Sequence, residues 1–343
     1  MSASRYTVAV VGAAGMVGTE MIRTLVQRAF PIRELRALDV ASLAGSEIVV
    51  DGTTYVCREA TEAAFAGVDI AFFSAGNAAS LDLAPKAVRQ GAVVIDNSSA
   101  WRMDPECPLV VPEVNAHDLG WHHGIIANPN CSTIQMVVVL KPIHDAARIR
   151  RVVVSTYQAA SGAGRAGIDE LLGQTGAVCQ GRQPTPPETF QYQLAFNVIP
   201  QIDLFDALDY TREEWKMVNE TAKIMGDPAI RVSPTAVRVP VEIGHAEAVN
   251  LELERELSVA TARDLLSKAP GVRVVDDPAA RLYPMPLEAA HTDAVFVGRI
   301  RVDPTVDHGL NMWIVADNVR KGAALNAVQI AERLASDGLV RVP

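Results

Sequence analysis

Apolar residues over the first 130 positions recur in two alternating rhythms. A β-branched run at 7–11 predicts a buried strand. After a glycine-rich turn, Met16, Val17, Met21, Ile22, Leu25 and Val26 recur at helical spacing and give one apolar face. Strand-like runs return at 35–39, 69–73, 92–95 and 124–127, with helical or turn-rich segments between them. Short apolar strands alternating with helices imply a parallel sheet covered on both faces. The expected first domain, over 1–130, is therefore a doubly wound α/β dinucleotide-binding (Rossmann) domain.

The rhythm changes after a turn at Asn128-Pro129-Asn130, which leads into a helix carrying the apolar run 134–140. Longer strands are predicted at 151–157, 236–241, 249–254 and 294–302. They suggest a second, α+β domain built on a mixed sheet. Residues 181–190, with prolines at 184, 186 and 187, read as an extended loop. From 320 to 334 the pattern is helical again, with Leu325, Val328, Ala331 and Leu334 on one side. No internal repeat or low-complexity tract is present.

Composition narrows the function classes. The chain has 343 residues, 49% hydrophobic and 21% charged, the balance of a globular enzyme. A formal charge of −9 disfavours nucleic acid as the main ligand, while leaving room for a local basic pocket around a small anion. Four cysteines (Cys57, Cys107, Cys131, Cys179) lack CxxC spacing and read as reduced thiols, not as a disulfide framework or a metal site. The apolar run near the N-terminus is broken at once by glycines, Glu20 and Arg23, so a strand is a better reading than a secretory signal. No apolar stretch reaches the ~18 residues of a membrane span. A cytoplasmic, non-membrane protein is expected.

Candidate chemistry begins at the first turn. Gly12, Ala13, Ala14, Gly15, Met16, Val17 and Gly18 form a GxxGxxG loop between a strand and a helix. Glycines there permit close backbone approach, and free N–H groups at a helix start attract a diphosphate. Asp39 closes the second strand, where an acid accepts hydrogen bonds from the adenosine ribose; a solvated strand-end turn is the competing reading. A lone cysteine is by default a small buried hydrophobe. Cys131, however, sits where a turn enters a helix, and the positive helix end favours a thiolate able to capture an aldehyde. In 237–242 the valines alternate with other residues, so Arg238 projects from the opposite face. His245 follows a break at Gly244 and is expected in a turn. Glu213 and Lys216 share a helix face, where a solvated ion pair is the plain expectation.

Several blocks go beyond pattern. They are Gly12–Gly18, residues 96–102 (Asp-Asn-Ser-Ser-Ala-Trp-Arg), 111–115 (Val-Pro-Glu-Val-Asn) and Asn128-Pro129-Asn130-Cys131. Others follow at 161–164, 196–200, 237–240 and 318–326. Their order over nearly the whole chain resembles the bacterial aspartate-semialdehyde dehydrogenases. The resemblance implies Cys131 as nucleophile, His245 as the acid/base at the thiohemiacetal and Gln158 as the group orienting the substrate. It assigns Arg238 to the substrate carboxylate, Glu213 to its ammonium, and Arg102 and Lys216 to phosphate. Ser74, Ala75, Gly76, Ser161, Gly162 and Asn318 are implied around the cofactor. A second domain over 131–317 that also forms a homodimer, and a return of 318–343 to the first domain, are implied as well.

One segment departs from the family. NADP-using members carry a serine and an arginine just after the second strand, whereas 38–45 here contains Asp39 and no arginine. The family implies NADP, and the local chemistry points toward NAD or mixed use. An N-acetylglutamyl phosphate reductase is the nearest rival, but Glu213 argues for a substrate with a free amine. A silent dinucleotide-binding regulator is a rival of another class, against which Cys131, Gln158 and His245 stand together.

Overall fold

Strand β1 (Tyr6–Val11) lies inside a six-stranded, wholly parallel sheet. The other strands are β2 (Ile32–Asp39), β5 (Arg58–Glu59), β6 (Ile70–Phe73), β7 (Val93–Asp96) and β8 (Ile125–Ala127), in the order β5-β2-β1-β6-β7-β8. A small hairpin, β3 (Glu47–Val50) with β4 (Thr53–Val56), stands apart from it. The computed structural model describes residues 5–342. They form two compact units, one reaching to Asn130 and taking up the chain again from Ala323, the other spanning Cys131–Gly322.

Alternation along the strands of the first unit divides its core in two. Val8, Val10, Phe72 and Ile95 face one layer with Met21, Ile22 and Leu25 of α1 (Met16–Gln27) and Val328, Ala331 and Leu334 of α9 (Leu325–Asp337). Ala9, Val11, Phe73 and Val94 face the other with Ala84 and Ala87 of α2 (Gly76–Arg89). Both faces are thus covered, as continuous apolar strands require. β1 is flanked by β2 on one side and β6 on the other, so the connections leave it in opposite directions. That switch point is where doubly wound sheets bind ligands, and the glycine loop occupies it. A short helix, α3 (Pro112–Asn115), precedes β8.

The second unit opens with α4 (Cys131–Ala147) and continues with β9 (Ile149–Gln158), α5 (Gly164–Cys179), α6 (Arg212–Met225), β10 (Arg231–Arg238) and β11 (His245–Leu253). Next come α7 (Val259–Lys268), β12 (Val272–Val274), α8 (Pro286–Ala289), β13 (Val295–Asp303) and β14 (Gly309–Ala316). Its six-stranded sheet runs β10-β9-β11-β14-β13-β12 and is mixed. β9 pairs in parallel with β10, and antiparallel contacts link β9, β11, β14 and β13. Helices α4 and α6 pack on this sheet and on each other.

The parallel and mixed sheets are those expected, and three local readings are corrected. The strand foreseen at 236–241 ends at Arg238, because Pro240 has no N–H to donate and Val241 N–H turns back onto the Val239 carbonyl. His245 opens strand β11 instead of sitting in a turn; the turn belongs to Gly244, with φ +99. Residues 320–324 form a turn of π-helix before α9. Asn318–Gly322 belong to the second unit, and the chain returns to the first at Ala323.

Close approach explains the glycine loop. Gly12 has φ +78, and a Cβ there would lie 2.4 Å from the Ser74 carbonyl oxygen. A Cβ on Gly18 would lie 2.1 Å from the Gly12 carbonyl oxygen. Gly12→Ala is therefore expected to lower stability by about 2–4 kcal/mol, combining left-handed backbone strain with a backbone clash. Thermal denaturation checks this; an unchanged midpoint would mean that the loop moves off Ser74 freely.

Candidate active site

Strand register gathers the predicted site residues of the second unit. Arg238 on β10 pairs with Gln158 on β9. Ala246 pairs with Tyr157, so one step further along the same ladder His245 comes beside Gln158. His245 in turn pairs with Ala316 on β14. Directly paired residues share a face, so Arg238, Gln158 and His245 form one row across three strands. All three are buried.

The backbone of Ala159 ties the row together. Its N–H donates to His245 Nδ1 at 3.0 Å, and its carbonyl accepts from Arg238 Nη1 at 2.6 Å. With Nδ1 occupied as an acceptor, the neutral imidazole carries its proton on Nε2. Nε2 is buried and has no partner of its own. A Cβ on Gly162 would lie 3.3 Å from Nε2 and 2.6 Å from Arg238 Nη1, so only glycine leaves this space open. Burial foremost, then the adjacent Arg238 charge, hold His245 well below its ordinary value of 6.5. Burial also lowers Arg238, opposed by the negative charges of Glu213 and Cys131. The Cys131 sulfur thus lies close enough for its charge to act on the guanidinium.

Cys131 is the first residue of α4, a 17-residue helix, and is partly exposed. None of the four cysteines forms a disulfide; of the other three, Cys57 and Cys107 are buried and Cys179 is exposed. Glu213 reaches the row from α6. It is 4% exposed; Oε1 accepts from Gln158 Nε2 at 3.2 Å and Oε2 from Lys216 Nζ at 3.1 Å. Lys216 also bonds Asp203 Oδ2 at 3.1 Å. The solvated Glu213–Lys216 pair expected from the spacing is thus a half-enclosed triad that includes Asp203. The helix is held in place by its neighbour Glu214. One carboxylate oxygen accepts the Thr211 N–H in a capping box, and the other takes the Ala236 N–H of β10.

Ser161, Gly162 and Asn318, expected around the cofactor, also fall here. Asn318 Oδ1 accepts from Ser161 Oγ at 2.9 Å and from the Gly244 N–H at 3.0 Å, joining the loop after β9 to the turn before His245. The proline-rich loop ends at Phe190, whose ring lies 5.7 Å beneath the Arg238 guanidinium. Ala159, Phe190 and Asp203 were not anticipated. Ala159 acts through its backbone, which leaves no sequence signal; an aromatic closing a proline-rich loop was a weak one.

In the first unit, Gly12 to Gly18 follow β1, and Gly15 is the N-cap of α1 with no side chain over the helix start. Ser74, Ala75 and Gly76 close the neighbouring β6–α2 turn against Gly12. This glycine cradle, open at a helix N-terminus, fits a dinucleotide diphosphate. Asp39 is 7% exposed, which overturns the solvated reading. Its Oδ2 accepts the Ala14 N–H at 2.9 Å and its Oδ1 the Val40 N–H at 2.9 Å, so it braces the loop as well. Arg102 is buried, and its guanidinium donates to the carbonyls of Asn97 and Asn128. No cluster of three or more metal-ligating side chains occurs among the described residues.

A dinucleotide cradle and a cysteine–histidine site with an arginine and an acid beside it define a dehydrogenase that works on a small charged carbonyl compound. Comparison with known proteins agrees with that class. Residues 7–122 match the semialdehyde dehydrogenase NAD binding domain, and residues 140–321 match the semialdehyde dehydrogenase dimerisation domain. The aspartate-semialdehyde dehydrogenase of Aquifex aeolicus (strain VF5) is 53% identical over 338 residues, covering 98% of this chain and 99% of that relative. That of Bacillus subtilis (strain 168) is 50% identical over 340 residues, covering 97% and 98%. The crystal structure of aspartate semialdehyde dehydrogenase II from Vibrio cholerae superposes with a TM-score of 0.94 at 47% identity, covering 97% and 99%. The chain belongs to the aspartate-semialdehyde dehydrogenase family.

Holding His245 neutral has a thermodynamic cost at low pH. Its folded-state value lies below the 6.5 of the unfolded chain, so on acidification the unfolded state binds a proton first. Stability is expected to fall as pH drops below about 6.5, by up to ~1.4 kcal/mol per pH unit from this residue. Urea denaturation of the wild type and His245→Gln across that range reads the effect. Parallel pH dependences would show that His245 titrates freely in the fold.

Proposed function

We propose that this chain converts L-4-aspartyl phosphate, a reduced nicotinamide dinucleotide and a proton reversibly into L-aspartate 4-semialdehyde, phosphate and the oxidised dinucleotide, through a thioester on Cys131. That reaction lies on the route to lysine, threonine and methionine. The observation that carries the proposal is the row Arg238–Gln158–His245, joined by Glu213 and by the charge coupling of Arg238 to Cys131. The Vibrio cholerae relative is described as complexed with ASA, a ligand consistent with this substrate class.

In the reductive direction the Cys131 thiolate attacks the acyl carbon, and the C–O bond to phosphate breaks to leave the thioester. When bound at the glycine cradle, the nicotinamide dinucleotide supplies the hydride that reduces the thioester carbonyl. The resulting thiohemiacetal oxyanion collapses to the aldehyde and returns the thiolate. No proton need move at the carbonyl oxygen in this cycle. The Nε2–H form of His245, favoured by the Ala159 amide, suits a hydrogen-bond donor to that oxygen in both directions. His245 is thus proposed at the thiohemiacetal oxygen, where the resemblance places the acid/base.

The remaining groups take the substrate's charges. Arg238, its planar fork held by Ala159, is proposed for the α-carboxylate and Glu213 for the ammonium. A buried acid is poorly suited to an N-acylated substrate, which disfavours an N-acetylglutamyl phosphate reductase. Gln158, bonded to Glu213, orients the substrate. Lys216 and Arg102 are the cations proposed for phosphate. The silent-regulator alternative would leave the converging cysteine, histidine and arginine without a purpose.

We infer NADP as the cofactor, the family pattern, with NAD also accepted because of Asp39 and the absence of arginine in 40–45. A homodimer is proposed through the second unit. The sheet face opposite the row carries the half-exposed Tyr157 against Trp313, with ring centroids 5.2 Å apart. Four cysteines outside any disulfide suit the reducing cytoplasm, and no helix among the described residues is long and apolar enough to cross a membrane.

Cys131→Ala should abolish phosphate-dependent reduction of NADP or NAD by the semialdehyde, followed at the nicotinamide absorbance, while dinucleotide affinity stays unchanged. Turnover retained in that variant would remove the covalent route. Asp39→Ser should raise the ratio of kcat/KM with NADP to that with NAD by about tenfold, the equivalent of ~1.4 kcal/mol. A constant ratio would show that the acid does not read the 2′ position.

A further inference from the structure

The second row of the same sheet face holds a titratable group with no part in the reaction above. Two residues beyond His245 on β11, Glu247 pairs with Thr156 on β9 and with Ile314 on β14. On α4, which packs against these strands, Gln135 stands one helical turn after Cys131. Both side chains are fully buried. Neither carboxyl oxygen of Glu247 and neither amide atom of Gln135 completes a hydrogen bond, although Gln135 lies near enough to favour the charged acid. Burial outweighs it and holds the Glu247 carboxyl well above the usual carboxylate range.

A carboxylate here would be an unpaired charge above an apolar third row of Val154, Val249 and Met312. A neutral carboxylic acid, in contrast, matches a primary amide in donor and acceptor pattern. Its O–H can donate to the amide oxygen while the amide N–H donates to its carbonyl. Of the neighbouring titratable groups, His245 is on the same strand and Cys131 on α4, with Glu213 and Glu220 on the buried side of α6 and Arg238 in the first row. Thr156 of β9 and Ile314 of β14, beside it, carry none.

We propose that Glu247 is a neutral carboxylic acid that pairs with Gln135 and thereby positions Cys131 against His245. Gln135 is rigidly spaced from the first residue of α4, and Glu247 from the first residue of β11. A tie between them sets where the helix start stands on the strand start. The neutral form also keeps a negative charge from sitting one turn beneath the thiolate. Glu247 touches no substrate; it is a positioning residue, and its role rests on the catalytic reading of Cys131 and His245 above.

Two independent measurements test this on the full-length enzyme. A carboxyl protonated in the fold but ionised when unfolded makes the native state lose stability as pH rises above 4.5. The midpoint gain of Glu247→Gln over wild type should therefore grow between about pH 5 and about pH 8. The wild type should also show a protonated-acid carbonyl band in the infrared that the variant lacks. In turnover, Glu247→Leu should lower kcat about tenfold to a hundredfold and slow alkylation of Cys131, with KM within about threefold, and Glu247→Gln should restore most of the loss. Should the leucine variant not fold, Gln135→Leu makes the same test from the helix side.

A pH-independent midpoint difference without the acid band would show an ionised Glu247 and overturn the proposal. So would a glutamine variant as slow as the leucine one, or a leucine variant with full kcat. Failure of the catalytic reading would be seen separately, in Cys131→Ala turnover, and would leave the infrared and pH results intact.

Discussion

The backbone of one residue, Ala159, carries the second unit's site. Its N–H sets the tautomer of His245 and its carbonyl aims the Arg238 guanidinium. Because Ala159 directly follows β9, its own position is fixed by the strand ladder that aligns Gln158 with both neighbours. A hydrogen bond to a charged donor is among the stronger ones, and breaking either bond would leave a buried polar group unsatisfied. The geometry of the side chains is thus inherited from sheet register and not from their own rotamer preferences.

Charge burial is the main cost of that arrangement. Arg238 and Glu213 are each almost fully enclosed, and desolvating such ions costs several kcal/mol apiece. The cost is offset by distribution. Glu213 accepts from Gln158 and Lys216, Lys216 is shared with Asp203, and Arg238 has a carbonyl, an aromatic face and two nearby negative charges. Each ion thus keeps partial compensation from the groups around it. Such preorganisation means that little reorganisation remains for the moment of reaction.

The first unit shows the same economy with different means. Asp39 spends both carboxylate oxygens on backbone amides, one of them at Ala14 within the glycine loop. The acid that ends β2 is therefore the brace of the glycine loop.

Much of this was legible in one dimension. Periodicity revealed the alternating units of the first sheet, because strands buried on both faces must be apolar throughout, and the glycine loop was visible because only glycine tolerates the Ser74 contact. The ordered motifs identified the family. Spacing did not reveal that Arg238 ends its strand or that His245 begins one, since a proline and a glycine as close as Pro240 and Gly244 are compatible with several turns. Sequence alone thus determined which residue types are available and which strands are buried, as these follow from side-chain chemistry and local period. Tertiary structure alone decided that Arg238, Gln158 and His245 stand in one row with Glu247 behind it, because register, burial and backbone hydrogen bonds are made between residues far apart in the chain.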